Sequence, residues 1–201
     1  MRPTTGEECQ DGRVSIDRKL FEAVERLGAA IDAALRRFAV DHGLSLLQAQ
    51  LLETLGEGTP RRIGDLAAEL AVSLPTVSDA VGSLQAKGLA RRVPDPDDRR
   101  GVLVVLSEEG ERLAALARKT LGPMLTAAAE VPEKDREIAL GVLLRTIAAL
   151  YRMGFITLDR SCFTCRHYDP GGPRCLLLQM PLRPADLRVR CPEHTPAAAG
   201  D

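Results

Sequence analysis

The chain has 201 residues, of which 45% are apolar and only 3% aromatic; Trp is absent and the net charge is −1. That length allows one sizeable domain and an appendage. A near-neutral balance excludes a global basic field as the route to a nucleic-acid partner, and a core of Leu, Ala, Val and Ile favours packed helices over sheets. Twenty-three Arg stand against four Lys, a skew that suits bidentate recognition of phosphate and carboxylate, although GC-rich coding biases composition the same way. The first residues, MRPTTGEECQDGRVSIDRK, lack the apolar stretch of a signal peptide, and no run of about 18 apolar residues marks a membrane span. A cytoplasmic protein is expected, in which thiols stay reduced and clustered cysteines point to metal or chemistry rather than to disulfides.

Residues 1–16 are polar and read as a mobile arm that carries Cys9. From about Asp17 to residue 42, Leu20, Val24, Leu27, Ile31, Leu35 and Phe38 recur every three or four positions, which predicts a helix of about six turns ended by Gly43. Its apolar seam is narrow and asks for a packing partner, such as a second subunit. SLLQAQLLETLGEG places Ser45 three residues before Gln48, the spacing of a capping box. TPRRIGDLAAELAVS reads as a short helix with Ile63, Leu66, Ala67 and Leu70 inward. LPTVSDAVGSLQAKG starts near Pro75, turns Val77, Val81 and Leu84 to one face and stops at Gly88. LARRV and VLVVLS then read as strands joined by the turn-rich PDPDDRRG. Ser107 opens a long Ala/Leu helix interrupted near Gly122-Pro123. A last helix follows, with Ile138, Val142, Leu143, Ile147 and Leu150 on one face and a boundary at Gly154.

Three short helices followed by two strands around a charged loop outline a winged helix-turn-helix. The run IGDLAAELAVSLPTVSDAVGSLQAKGLARRVPDPDDRRGVLVVLSEEGERL resembles the MarR family of bacterial transcriptional regulators. The similarity covers roughly residues 15 to 153, and LQAKGLARR and DPDDRRGVLVVLSEEG are its most specific parts. The resemblance implies an obligate homodimer with interlocked terminal helices, and a recognition helix, about Leu74 to Lys87, that enters successive major grooves of a pseudo-palindromic operator. Ser73, Thr76, Ser78, Asp79 and Ser83 are then the candidate readers of double-stranded DNA. Arg91, Arg92, Arg99 and Arg100 would flank the groove, and Arg100 aligns with the wing-tip arginine that enters the minor groove. The chain departs from the family where Asp79 and Ser83 replace common cations. Over residues 60–100 seven cations barely exceed six anions, so phosphate-driven affinity should be modest. A plainer role for Asp97 or Asp98 is a wing ion pair with Arg99 or Arg100. The family also implies a small-molecule effector, a phenolic or lipophilic acid held between dimer helices and winged domain, or a redox effector. Cys9 lies near where peroxide-sensing members carry a thiol, but Glu7, Glu8 and Asp11 oppose the lowered pKa that reactivity requires.

The tail is not part of that pattern. Cys162, Cys165, Cys175 and Cys191 fall within thirty residues, whereas the rest of the chain holds only Cys9. A CxxC pair and two further thiols form a ligand set either for one zinc per chain, held by four thiolates, or for a [4Fe–4S] cluster. His167 and His194 are substitute ligands or ordinary exposed side chains. Between residues 160 and 194 six cations face three anions, by default a solvated face.

The expected fold is mainly α with a small β-wing. It comprises a dimerisation helix (17–42), a winged helix-turn-helix (43–106), C-terminal dimerisation helices (107–154), an irregular metal-binding segment (155–195) and a disordered end (196–201). The expected function is that of a homodimeric, sequence-specific repressor with no membrane partner, whose metal site is structural or sensory. The rival is a redox or metal-responsive protein that uses a degenerate winged dimer as a scaffold. Enzymatic activity has no support, since no nucleophile–His–acid set and no phosphate-binding glycine loop is present.

Overall fold

The computed structural model describes residues 14–197, the side chain of Arg99 excepted. Cys9, most of the N-terminal arm and residues 198–201 of the C-terminal end lie outside the described residues.

Helix α1 spans Ile16–Asp41 and starts where Ser15 Oγ accepts from the Arg18 amide. Helix α2, Leu46–Leu55, carries the capping box in full: Ser45 Oγ accepts from Gln48 N at 3.2 Å and Gln48 Oε1 from Ser45 N at 3.1 Å. The run TPRRI departs from the expected helix. Arg61–Arg62 form strand β1, paired antiparallel with the wing, and α3 begins only at Ile63 and ends at Glu69. Once the wing offers its edge, two residues with an extended backbone gain ladder bonds there that a frayed helix end could not supply.

Helix α4, Leu74–Ala86, is capped by Ser73 and has Pro75 in its first turn, where the missing amide costs nothing. Gly88 follows at φ +71°, a left-handed geometry that Gly adopts without a Cβ penalty, and it sends the chain into strand β2, Ala90–Asp95. Strand β3, Asp98–Leu106, pairs with β2 through Arg92 opposite Val104, and the sheet order is β1-β3-β2. The wing turn is therefore only Pro96-Asp97. Most of the expected loop PDPDDRRG is taken into the strands, with an irregularity at Pro94/Asp95.

Ser107 caps α5, Glu108–Thr120, with three acidic residues in its first turn and Arg118 and Lys119 in its last, in accord with the helix dipole. The anticipated break falls at Leu121, after which α6 (Gly122–Ala129) and α7 (Glu133–Arg152) follow. The core joins Leu35 and Phe38 of α1, Leu51, Leu52 and Leu55 of α2, Leu66 of α3, Val77, Val81 and Leu84 of α4, Val104 and Leu106 of β3, and Leu113, Ala114 and Ala117 of α5.

The start of α5 is pressed against the start of β2, so a Cβ on Gly110 would collide with the Leu89 carbonyl. That carbonyl cannot retreat, because it accepts the Ser107 amide at 3.0 Å. Gly110→Ala is expected to destabilise the fold by about 1–3 kcal/mol through overpacking, read as a lower urea midpoint at unchanged m.

Two faces are left uncovered within the chain. On α1 only Leu35 and Phe38 of the predicted seam are buried, while Leu20, Val24, Leu27 and Ile31 are between 36% and 64% exposed. On α7 the buried positions are Gly141, Leu144 and Ala148 rather than the predicted face, on which Ile138 and Leu143 remain exposed. What α7 packs against explains the difference: its neighbours are the two 3₁₀ turns of the tail, Cys162–Thr164 and Pro184–Asp186.

The tail is more ordered than an irregular segment. Short strands β4 (Tyr168–Asp169), β5 (Arg174–Cys175) and β6 (Met180–Pro181) form an antiparallel sheet in sequence order. Asp159, Ser161 and Thr164 are buried at its base, with Asp159 accepting from Ser161 N at 2.8 Å and from Ser161 Oγ at 2.9 Å.

Candidate nucleic-acid interface and thiol cluster

Helix α4 turns Val77, Val81 and Leu84 into the core and leaves Ser73, Leu74, Thr76 and Asp79 exposed. Its polar residues divide by what they already hold. Ser73 Oγ accepts from the Thr76 amide at 3.3 Å and lies 2.7 Å from Thr76 Oγ1, so Ser73 caps the helix. Ser78 Oγ and Ser78 O accept from Arg92 Nη2 at 3.2 and 3.4 Å, which ties β2 to the helix. Ser83 is half-buried. Asp79 is exposed, and Thr76 is exposed while sharing its hydroxyl with Ser73. Lys87, the first cation after the helix begins, is exposed but committed: its Nζ donates to Gly43 O at 2.5 Å and to Gln48 Oε1 at 3.2 Å. The helix therefore brings no uncommitted cation to a phosphate.

The wing supplies them instead. Arg91 and Arg100 are exposed. Arg100 N donates to Asp98 Oδ1 at 3.0 Å, so Asp98 orients the Arg100 backbone. Asp98 pairs with Arg62 on β1 at 3.5 Å rather than with the Arg100 guanidinium, and Arg62 also meets Asp95 at 2.6 Å; the expected pairs to Arg99 lie outside the described side chains. The sequence reading missed Arg62 because its partners lie 33 or more residues away and only the β1–β3 pairing brings them across. Asp95 is buried, and the amide of Asp97 and the Arg62 guanidinium hold its carboxyl below the usual carboxylate range.

A cavity of about 400 Å³ lies between α1 and α5, lined by Arg37, Phe38, Asp41, His42, Leu116 and Thr120 among others. Phe38 and His42 stack there at 4.2 Å.

The four tail cysteines are free thiols gathered by backbone bonds rather than by sequence spacing alone. Cys162 and Cys165 flank one 3₁₀ turn, in which Cys165 N donates to Cys162 O at 3.1 Å. Pairing of β4 with β5 sets Cys175 opposite Tyr168. Cys191 N donates to Arg160 O at 3.0 Å and Cys162 N to Arg188 O at 3.2 Å, which returns the end of the tail to its start. Arg188 lies between the two outer thiols, its amide 3.3 Å from Cys162 Sγ and its Nη1 3.8 Å from Cys191 Sγ. Burial, and then the nearness of Cys165 and Cys175, push the Cys162 thiol up. The donor set is chemically suited to a soft metal, with four thiols and N–H groups directed at two of the sulfurs. Among the described residues, however, no group of three or more His, Cys, Asp or Glu side chains is arranged to hold a metal ion. His194 Nε2 is 3.0 Å from Thr164 Oγ1, a contact that fixes this ring within the tail.

Residues 42–101 match the model of the MarR family. The chain is 30% identical over 105 residues to the HTH-type transcriptional repressor NicR of Pseudomonas putida, a match covering 49% of this chain and 66% of that protein. It is 39% identical over 64 residues to the regulator YsmB of Bacillus subtilis, covering 32% of this chain and 42% of the relative. The chain thus spans between about two-fifths and two-thirds of the length of these curated relatives. Among solved structures, a MarR-family regulator from Silicibacter pomeroyi superposes with TM-score 0.60 at 24% identity, covering 69% of this chain and 97% of that one. NadR in complex with 4-hydroxyphenylacetate superposes with TM-score 0.55 at 24% identity, covering 70% and 97%. Matched segment, relatives and fold agree: residues 42–101 are similar to the MarR family, and the winged helix-turn-helix around them has the fold of these solved regulators.

Proposed function

We propose that the chain is a sequence-specific, DNA-binding transcriptional repressor that works as a homodimer and carries a thiolate metal module in its tail. The observation that carries this reading is the exposed first half of α4, with Thr76 and Asp79 outward, beside a wing that presents Arg91 and Arg100. A helix of that geometry fits a major groove and a wing arginine fits the adjoining minor groove. The uncovered seam of α1 and the exposed Ile138 and Leu143 of α7 support a second copy as the packing partner. The name of NicR supports the repressor reading. NadR, solved with 4-hydroxyphenylacetate, supports a small aromatic acid as effector, and the cavity between α1 and α5 offers an aromatic ring and Arg37 for one. Among the described residues no helix is long and apolar enough to cross a membrane.

Zinc held by Cys162, Cys165, Cys175 and Cys191 is the simplest occupant of the tail. A [4Fe–4S] cluster on the same four thiolates is the second reading, since four cysteines are the ligand set of such a cluster as well.

The test is an anisotropy titration of the full chain against its own promoter duplex at several salt concentrations. Specific binding that weakens with salt is expected, and Arg100→Ala is expected to cost about 1–3 kcal/mol of operator affinity and to flatten the salt slope by about one. If the native chain shows no specific binding in either metal state, the winged dimer is a scaffold and the repressor reading falls.

A further inference from the structure

The tail is tied to the DNA-reading head of its own chain by two arginines. Arg160 and Arg190 face each other in an isolated parallel bridge, and both guanidinium groups leave the tail. Arg160 Nη2 donates to Asp65 Oδ2 at 2.7 Å. Arg190 Nη1 donates to Glu57 Oε1 at 3.1 Å, and its Nε lies 2.6 Å from Glu69 Oε1. Asp65 and Glu69 are four residues apart, so they share one face of α3.

The acidic side of this contact is crowded. Glu53, Glu57 and Glu69 all lie in the field of Arg190, and Glu57 is also 3.5 Å from the buried Arg61. The Glu69 side chain is only 12% exposed and neither of its oxygens has an aligned hydrogen bond, so the ion pair with Arg190 is the contact that its carboxylate has there. Burial pushes the Glu53 carboxyl up, and Arg190 opposes that shift. The head thus holds an acidic nest to which the tail supplies a counter-charge, and helix α3 within that nest packs on α4.

The two arms of the bridge are also the arms that carry the outer thiols. Cys162 lies two residues after Arg160, and Cys191 directly after Arg190. Whatever closes those thiols on each other holds both arginines in place, and whatever opens them releases the arms.

We propose that the tail is a strap that reports the state of its four thiols to the DNA-reading head through Arg160 and Arg190. The proposal rests on the reading of the tail as a thiolate site but not on which metal fills it. Coupling of this kind requires that closed and open thiols favour different states of α3.

The test is hydrogen exchange at the α3 amides of the full chain, Ile63–Glu69, before and after treatment with a chelator and N-ethylmaleimide under anaerobic conditions. Opening the thiols is expected to speed α3 exchange by about tenfold, the scale of one coupled ion-pair network. The double variant Arg160→Ala/Arg190→Ala is expected to exchange fast at the outset and to change less than about twofold on the same treatment. Asp65→Asn/Glu69→Gln removes the acceptors from the head without touching the tail and is expected to behave alike; it also covers the case in which the first variant misfolds. A native chain whose α3 does not respond, or variants that respond as fully as it does, would overturn the strap. Elemental analysis of the same samples separates the two readings. An α3 response without bound metal keeps the strap and rejects the metal, whereas metal that leaves without an α3 response keeps the metal site and rejects the strap.

Discussion

Cys162→Ser, purified anaerobically beside the native chain, is expected to carry well under half of the native metal and to lose the protection of its tail. Cys162 is the most buried of the four thiols, the first residue of the 3₁₀ turn that leads to Cys165, and the acceptor of the Arg188 amide. The serine substitution would offer a metal a hard hydroxyl oxygen where the native chain offers a soft sulfur. In small thiolate modules the metal supplies much of the folding energy, about 10–16 kcal/mol for structural zinc at neutral pH. Apolar burial adds little there, since Leu176, Leu177, Leu178 and Met180 are all exposed. Tryptic cleavage after Arg166, Arg174 and Arg188 should therefore appear early, while the winged domain stays folded. Elemental analysis and a visible spectrum of the native chain identify the metal. About one zinc without colour marks a staple, and about four iron with absorption near 400 nm marks a cluster. A variant that keeps the native metal content would remove Cys162 from the ligand set, and a native chain without metal would end the metal reading altogether.

The largest effect on the winged domain is expected from Leu84→Ala, which should lower the unfolding free energy by about 2–5 kcal/mol. Leu84 is fully buried and, with Val77 and Val81, holds α4 to the core. Its carbonyl also accepts the Leu89 amide at 2.9 Å where the chain leaves the helix for the wing. The cavity left by the substitution cannot easily close, because α2, β2 and α3 pack around the same helix. Urea unfolding checks the magnitude, and operator affinity should fall with it as α4 loses its fixed orientation. Leu74→Ala, at a residue 57% exposed nearly three turns earlier, serves as the control, and a change within about 0.5 kcal/mol is expected there. Equal costs at the two positions would mean that α4 is not anchored through Leu84.

The same contrast between local and distant causes decides what could be read before the fold was seen. Helix starts at Ser45, near Pro75 and at Ser107 were legible because a cap and the amide it accepts from, or a proline and the turn it suits, lie within three residues of each other. Gly88 and the inward set Val77, Val81 and Leu84 were legible for the same reason, as were the grouping of four cysteines and the outline of helices followed by a wing. Strand β1 was hidden because two residues carry no periodicity; their conformation comes from the edge of β3. The face of α7 that the tail covers was hidden because both sides of the helix are apolar. Only the presence of the tail decides that Leu144 and Ala148 are covered while Ile138 and Leu143 are left free.

By itself, then, the sequence determined the helices of the head, the winged helix-turn-helix and the grouping of four thiols in the tail, since each rests on neighbours a few residues apart. The tertiary structure alone decided which charges remain available. It commits Lys87 to Gly43, Arg92 to Ser78 and Arg62 to Asp95, and it seats Arg160 and Arg190 on Asp65, Glu57 and Glu69. Most of these partners are separated by tens of residues in the chain. An ion pair is set by distance in space, and a sequence lists charges without giving that distance.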